Sequence, residues 1–244
     1  MITWIIPAGL GIIALAVTLI VIGRRTATPL SVPRAAYVGG IISAAVIGVV
    51  TIVTTVITLA ASAIAVTLPV GTYWPSLPSG VTITDGPTAH VTAGGFRTAE
   101  VTVTGLDFAA RVWLAGGILI QGATFVIVSV AVAVLFRQLL NNDPFRPVVA
   151  RALTVSGIAV AVGGIGWQAL SLVGGFMASH QVLEVTGWTS TNPSATSLED
   201  FGWPPMSTSF GIEGWPLPVG LALVALAFVI RRGAALQRDT EGLV

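Results

Sequence analysis

Eleven side chains of this chain are cationic, all of them arginine, and nine stand in three short clusters beside the ends of long apolar runs. The clusters are Arg24, Arg25 and Arg34; Arg137, Arg146 and Arg151; and Arg231, Arg232 and Arg238. Apolar runs long enough to cross a bilayer, flanked by arginine at alternating ends, mark a polytopic membrane protein whose orientation follows from the charges. Composition agrees, because 54% of the residues are hydrophobic and 9% charged, against a usual charged share of about a quarter. Such a chain cannot cover a water-facing surface with polar groups. The lipid bilayer is therefore its first expected partner.

Five runs reach the roughly 20 residues needed to span about 30 Å of hydrocarbon, at about 2–22, 36–66, 112–136, 148–177 and 216–231. The fold class expected is an all-α transmembrane bundle of five helices with a small β-containing cap outside the cytoplasm. The first run lacks a basic flank before it and has Arg24 and Arg25 after it, the reverse of a cleavable leader. It reads as a retained helix with the N-terminus outside, and alternation then leaves the C-terminal tail in the cytoplasm. The domains expected are 1–35, helix and inner loop; 36–68, second helix; 69–111, outer β-rich loop; 112–178, third and fourth helices with an inner Pro-Phe loop; 179–215, second outer loop; and 216–244, last helix and tail.

Charge counting follows the same orientation. Inner segments hold nine arginines against Asp143, Asp239 and Glu241, whereas outer segments hold Arg97 and Arg111 against seven acids. Trp4, Trp113 and Trp215 fall at the outer ends of the first, third and fifth runs, where indoles favour the headgroup layer. Lysine is absent beside abundant Ala, Val and Gly, a composition of GC-rich bacterial genomes, and the expected location is a bacterial cytoplasmic (inner) membrane. The net charge of +1, split over three membrane edges, offers no face for nucleic acid. With no cysteine, disulfides, thiol nucleophiles and thiolate metal sites are excluded.

The second and fourth runs exceed a span, at about 45 Å each, and are expected to tilt or project toward the outer loops. In the first outer loop, Val81 to Thr84 and Ala99 to Thr104 alternate between apolar and polar residues, predicting a hairpin or a three-stranded cap. The second loop is expected to fold over the first and to add a short strand at 181–185.

Several constellations are candidates for function. Asp143 directly before Pro144 predicts a helix start, Asp143 as N-cap and Pro144 at the first helical position, with Phe145 at headgroup level. With Arg146 and Arg151 this loop is also a candidate docking motif for a cytoplasmic partner. In the tail, Arg231, Arg232 and Arg238 face anionic lipid, and Arg232, Gly233 and Asp239 extend the candidate docking surface. Small or hydroxyl residues run along one face of the second helix, from Gly40 through Gly48, Thr51, Thr55 and Thr58 to Ser62. Gly157, Ala161, Gly164, Gln168, Ser171 and Gly175 do so on the fourth. Such stripes let membrane helices approach closely, and helices two and four are expected to meet each other or helix three.

Gln121 and Gln168 both lie about 14 Å inside the outer helix ends. With Thr55 and Thr58 they are expected to form an intramembrane polar layer, as interhelical glue or as the lining of a polar pocket. No Asp, Glu, His, Lys or Arg lies deep in any run, which weighs against proton-coupled transport and intramembrane proteolysis. His180 and Glu184 are four apart, but two histidines, His90 and His180, without a zinc motif make a metal site an unfavoured reading. No nucleophile elbow or acid-base pair is present, so no catalytic residue, metal or cofactor is expected.

From Val101 onward the chain resembles a family of uncharacterised bacterial integral membrane proteins known as domain of unknown function 2975. The resemblance rests on VTVTGLDF before the third helix, on NNDPFRPVVARALTVSG, and on the tail FVIRRGAALQRDTEGLV. The matching positions are Pro144, Phe145, Arg151, Arg232, Gly233, Leu236, Asp239 and Val244. The first helix and the long second outer loop depart from that family's usual four-helix form. Members often stand beside small helix-turn-helix regulators, so the resemblance implies a regulatory role and implies no catalytic residue. The function expected is thus a non-catalytic binding or regulatory component that docks a small cytoplasmic regulator. The alternatives are a small transporter or lipid-binding membrane protein, and a structural subunit of a membrane complex.

Overall fold

The computed structural model describes residues 31–75, 91–141, 146–189, 197–207 and 211–241. The first apolar run with Trp4, Arg24 and Arg25, the Val81 to Thr84 stretch, His90, and Asp143, Pro144 and Phe145 lie outside the described residues. Four helices, not five, are long and apolar enough to cross a membrane among the described residues. They are α1 (Ser31–Ala60), α2 (Phe108–Leu140), α3 (Pro147–Leu183) and α4 (Pro216–Glu241). Two antiparallel strands, β1 (Ala63–Tyr73) and β2 (Phe96–Thr104), form the sheet. In the most apolar window of each helix only 11% to 33% of residues are buried, and Leu221, Phe228, Val229, Val49 and Ile52 stand exposed. Helices that leave this much apolar surface uncovered need a hydrocarbon solvent, so the chain has the character of a membrane protein.

The chain divides into two compact units. The helical unit comprises Met1–Ile57, Ala115–Ser171 and Ile212–Val244, and the strand-bearing unit comprises Thr58–Leu114 and Leu172–Gly211.

In the strand-bearing unit the second apolar run is corrected. A helix was expected to 66, but α1 ends at Ala60 and Ala63 begins a strand. Ile64, Val66, Leu68 and Val70 are buried while Ala63, Ala65 and Thr67 face out or lie part-covered. That is period two, a pleated strand with one covered face. Alanine at the outward positions hid the alternation, because it counts as apolar wherever it stands. Ile64, Val66 and Leu68 pack with Leu106, Ala110 and Ala178, and Val101 and Val103 of β2 close the cluster. Gly105, with φ +74°, turns β2 into α2, a left-handed conformation that glycine adopts without a Cβ clash.

The strand expected at 181–185 is also corrected, since α3 continues to Leu183. Ala178, Ser179 and Leu183 are buried at helical spacing, and Nδ1 of His180 lies 2.6 Å from Glu184 Oε2 across one turn. Packing of this face against β1 extends the helix: Ser179 Oγ donates to Pro69 O at 2.8 Å. The second loop lies against the first strand, where Gly71 N–H donates to Pro205 O at 2.8 Å, Val70 bridges Met206, and the Tyr73 hydroxyl donates to Gly202 O at 2.9 Å.

In the helical unit neighbouring helices run antiparallel. Gly40 meets Ala133 and Ser129, and further along α1 Thr51 meets Gly122. On α2 and α3, Thr124 meets Gly163 while Gly117 meets Ser171. On α3 and α4, Gly157 faces Gly220 and Gly164 faces Pro216. Of the two expected arrangements, packing against the third run holds for both the second and the fourth. The stripe on α1 packs on α2, and Gly157, Ala161, Gly164 and Gln168 serve α4 instead. Gly48 and Gly164 lie in seams inside the protomer.

α3 is not a plain α-helix. Residues Ala159–Gly163 form a π turn between Pro147–Ile158 and Gly164–Leu183. The Thr124 hydroxyl of α2 donates to Ile120 O at 2.8 Å and reaches Ala159 O at 3.5 Å. The wider turn loosens the regular backbone ladder, and a hydroxyl from the adjacent helix supplies a donor where hydrocarbon supplies none.

Candidate functional site

The antiparallel contacts decide where the arginines go. Arg34 opens α1, Arg137 closes α2, Arg146 and Arg151 stand at the start of α3, and Arg231 and Arg232 lie late in α4. Since each helix reverses the direction of its neighbour, all six come to one end of the helical unit. All six are exposed. Arg231 Nη2 donates to Thr154 Oγ1 at 3.5 Å, linking α4 to α3 at this end.

The helix start there differs from the expected one. Arg146, not Asp143, is the N-cap residue, with extended backbone at φ −60° and ψ 144°, and Pro147 rather than Pro144 opens the helix. The chemistry of a proline at the first helical position holds, but the sequence offers two prolines three residues apart and the structure uses the second. The Arg146 side chain makes no capping hydrogen bond. The tail is helical through Gly233 and on to Glu241.

Within the helical unit, Thr55 and Gln168 of the expected polar layer make separate hydrogen bonds. Thr55 is buried and its hydroxyl donates to Thr51 O at 2.7 Å within its own helix. Thr58, also buried, belongs to the strand-bearing unit. Gln121 is buried, at 7% exposed. Gln168 turns the other way, toward the segment before α4. Its Nε2 donates to Gly164 O at 3.0 Å and Glu213 O at 3.1 Å, and its Oε1 accepts the Glu213 N–H at 2.7 Å. The two glutamines are at similar depth on different faces, because α3 offers one face to α2 through Gly163, Gly166 and Leu170 and another to α4.

Two features escaped the sequence reading. Arg111 is 9% exposed, and its guanidinium donates to Leu106 O through Nε and to Ala61 O through Nη1. It ties the end of α1 to the turn before α2 without a carboxylate partner among the described residues. A signal was present: a cation in the first turn of a helix opposes the helix dipole and therefore needs another reason to be there. The second feature is a groove of 400 Å3 between α2 and α3, walled from Val126 to Val134 on one side and from Val148 to Val155 on the other. Its walls are apolar except for Arg151. Periodicity could not reveal it, since both helices are apolar all round.

Among the described residues no group of three His, Asp or Glu side chains is placed to hold a metal. No family model, no curated protein and no solved structure matches the chain.

Proposed function

We propose that this chain is a non-catalytic binding or regulatory component of a bacterial cytoplasmic membrane, holding a small cytoplasmic regulator at its arginine end. In this reading the first apolar run is a fifth span, the N-terminus is outside and the tail is cytoplasmic. The observation that carries it is the gathering of six exposed arginines from four helices at one end of the helical unit. A net positive field of this kind steers an acidic partner and fixes its approach. The sequence resemblance to domain of unknown function 2975 adds Phe145, Arg232, Gly233 and Asp239 to the docking surface. A transporter reading loses support, because Gln168 is committed to backbone partners and Thr55 to its own helix.

Purification in mild detergent with mass spectrometry of the associated proteins tests the proposal. The expected result is a cytoplasmic protein in stoichiometric amount, lost from the Phe145→Ala, Arg232→Ala double variant. Recovery of the intact chain with no cytoplasmic protein, from cells grown under several conditions, overturns it.

A further inference from the structure

The groove between α2 and α3 has the two properties of a phospholipid site, an alkyl-lined channel and a cationic mouth. From the structure we infer that it holds one anionic phospholipid, an acyl chain along the valine walls and the phosphate on Arg151 and Arg137. The inference rests on the membrane character of the four helices; it shares Arg137 and Arg151 with the partner reading, and lipid retention tests it apart from any protein partner.

The channel comes first. Its 400 Å3 lie within the range of about 300–1,000 Å3 found for small-molecule sites. Val126, Val130 and Val134 line one wall at steps of four, and Val148, Ala152 and Val155 line the other. Valine is branched at Cβ and stiff in a helix, so the groove keeps its shape without an occupant. Along each helix the lined length is about 10 to 12 Å at 1.5 Å per residue.

The mouth supplies the selectivity. Arg151 lines the groove one turn from the start of α3 and is exposed. Arg137 continues the same face of α2 one turn beyond Val134, also exposed, at the same end. Both are thus where a bilayer presents its phosphates. An acyl chain gains little by leaving other acyl chains for valines, because both surroundings are apolar. Preference among lipids therefore falls to the charges.

Charge also selects among occupants. The first apolar run of this chain would bring Arg24 and Arg25 to the arginine end, placing like charges against Arg137 and Arg151. A second copy laid alongside would bring its own arginine cluster. An anionic headgroup is the occupant that complements the mouth.

The full chain, reconstituted in vesicles of equal phosphatidylglycerol and phosphatidylcholine and gently extracted, is measured by native mass spectrometry. One retained phosphatidylglycerol per chain is expected, in preference to phosphatidylcholine. Arg151→Gln and Arg137→Gln are each expected to lower its retention about fivefold, leaving phosphatidylcholine unaffected. Arg231→Gln should leave phosphatidylglycerol retention unchanged, because Arg231 is on α4 and does not line the groove. Ala152→Phe, which fills the groove, should lose both lipids; thermal unfolding shows whether it folds, and if it does not, the two exposed arginine variants decide between the outcomes. Equal retention of the two lipids overturns the inference, as does an Arg231→Gln effect as large as that of Arg151→Gln. So does an efficient disulfide between Ala152→Cys and Ile20→Cys, which would seat the N-terminal run in the groove.

Discussion

Gln138 and Gln168 show how one residue type acquires two energetic roles. Gln168 satisfies both its amide ends on backbone groups of Gly164 and Glu213, whereas Gln138 Oε1 is buried with no hydrogen-bond partner among the described residues. A satisfied amide is costly to remove, and an unsatisfied one is costly to keep. Gln168→Leu is expected to destabilise the protein by about 1 kcal/mol, toward the low end because Glu213 is exposed and water can replace part of the loss. Gln138→Leu should be neutral or stabilising. Unfolding in detergent, followed by circular dichroism, checks both; equal destabilisation by the two changes would contradict the assignment. Arg111 belongs at the same scale. Arg111→Met keeps the apolar stem and removes both donors, leaving the carbonyls of Leu106 and Ala61 without their partner. A loss of about 2 to 3 kcal/mol is expected from the same assay. Arg111→Lys should recover only part of it, since an ammonium lacks the fork that spans two carbonyls.

Helix packing in the helical unit is set by where side chains are missing. A Cβ on Gly157 would stand 2.6 Å from Gly220 O, and neither backbone can yield without separating α3 from α4. Gly157→Ala is expected to cost about 1 to 3 kcal/mol by overpacking. Gly48→Ala, whose Cβ would meet only Val126 Cγ2 at 4.0 Å, should be close to neutral. A comparison of the two unfolding midpoints decides whether α3 and α4 touch as closely as described. The same elements show what the sequence made legible. Apolar length and arginine spacing located α1 to α4, because both reflect the demand that a bilayer makes on any span. They did not locate the end of α1, because Ala63 and Ala65 on the outward face of β1 made a strand look like more helix. They overlooked the end of α3 for a related reason: Gln181 to Val185 alternates, yet contact of Ala178 and Val182 with the β1 cluster holds the segment helical. The stripe on α3 was visible, but its partner was not. Small residues say that something comes close, and only the fold says that it is α4. The π turn at Ala159–Gly163 leaves no mark in a sequence of alanine, valine and glycine.

At the scale of the whole molecule, parity links the helices to the sidedness of the chain. Four spans are an even number, so Ser31 and the helix carrying Arg231 and Arg232 belong to the same end. The antiparallel contacts in the helical unit require the same result independently. Basic residues flanking spans are retained on the cytoplasmic side, which is the ground on which the proposed reading puts that end in the cytoplasm. The apolar run at 2–22 then carries the decisive step, for if it spans, the N-terminus is on the opposite side from the C-terminus. Because the chain has no cysteine, single cysteines report sidedness without a background. Thr3→Cys and Ala93→Cys are expected to react with a membrane-impermeant maleimide on intact cells, and Ala235→Cys only after permeabilisation. Labelling at 93 but not at 3 would keep the four-helix arrangement and remove the fifth span. Labelling at 235 on intact cells would invert the protein, turning its arginine end outward and ruling out a cytoplasmic regulator there.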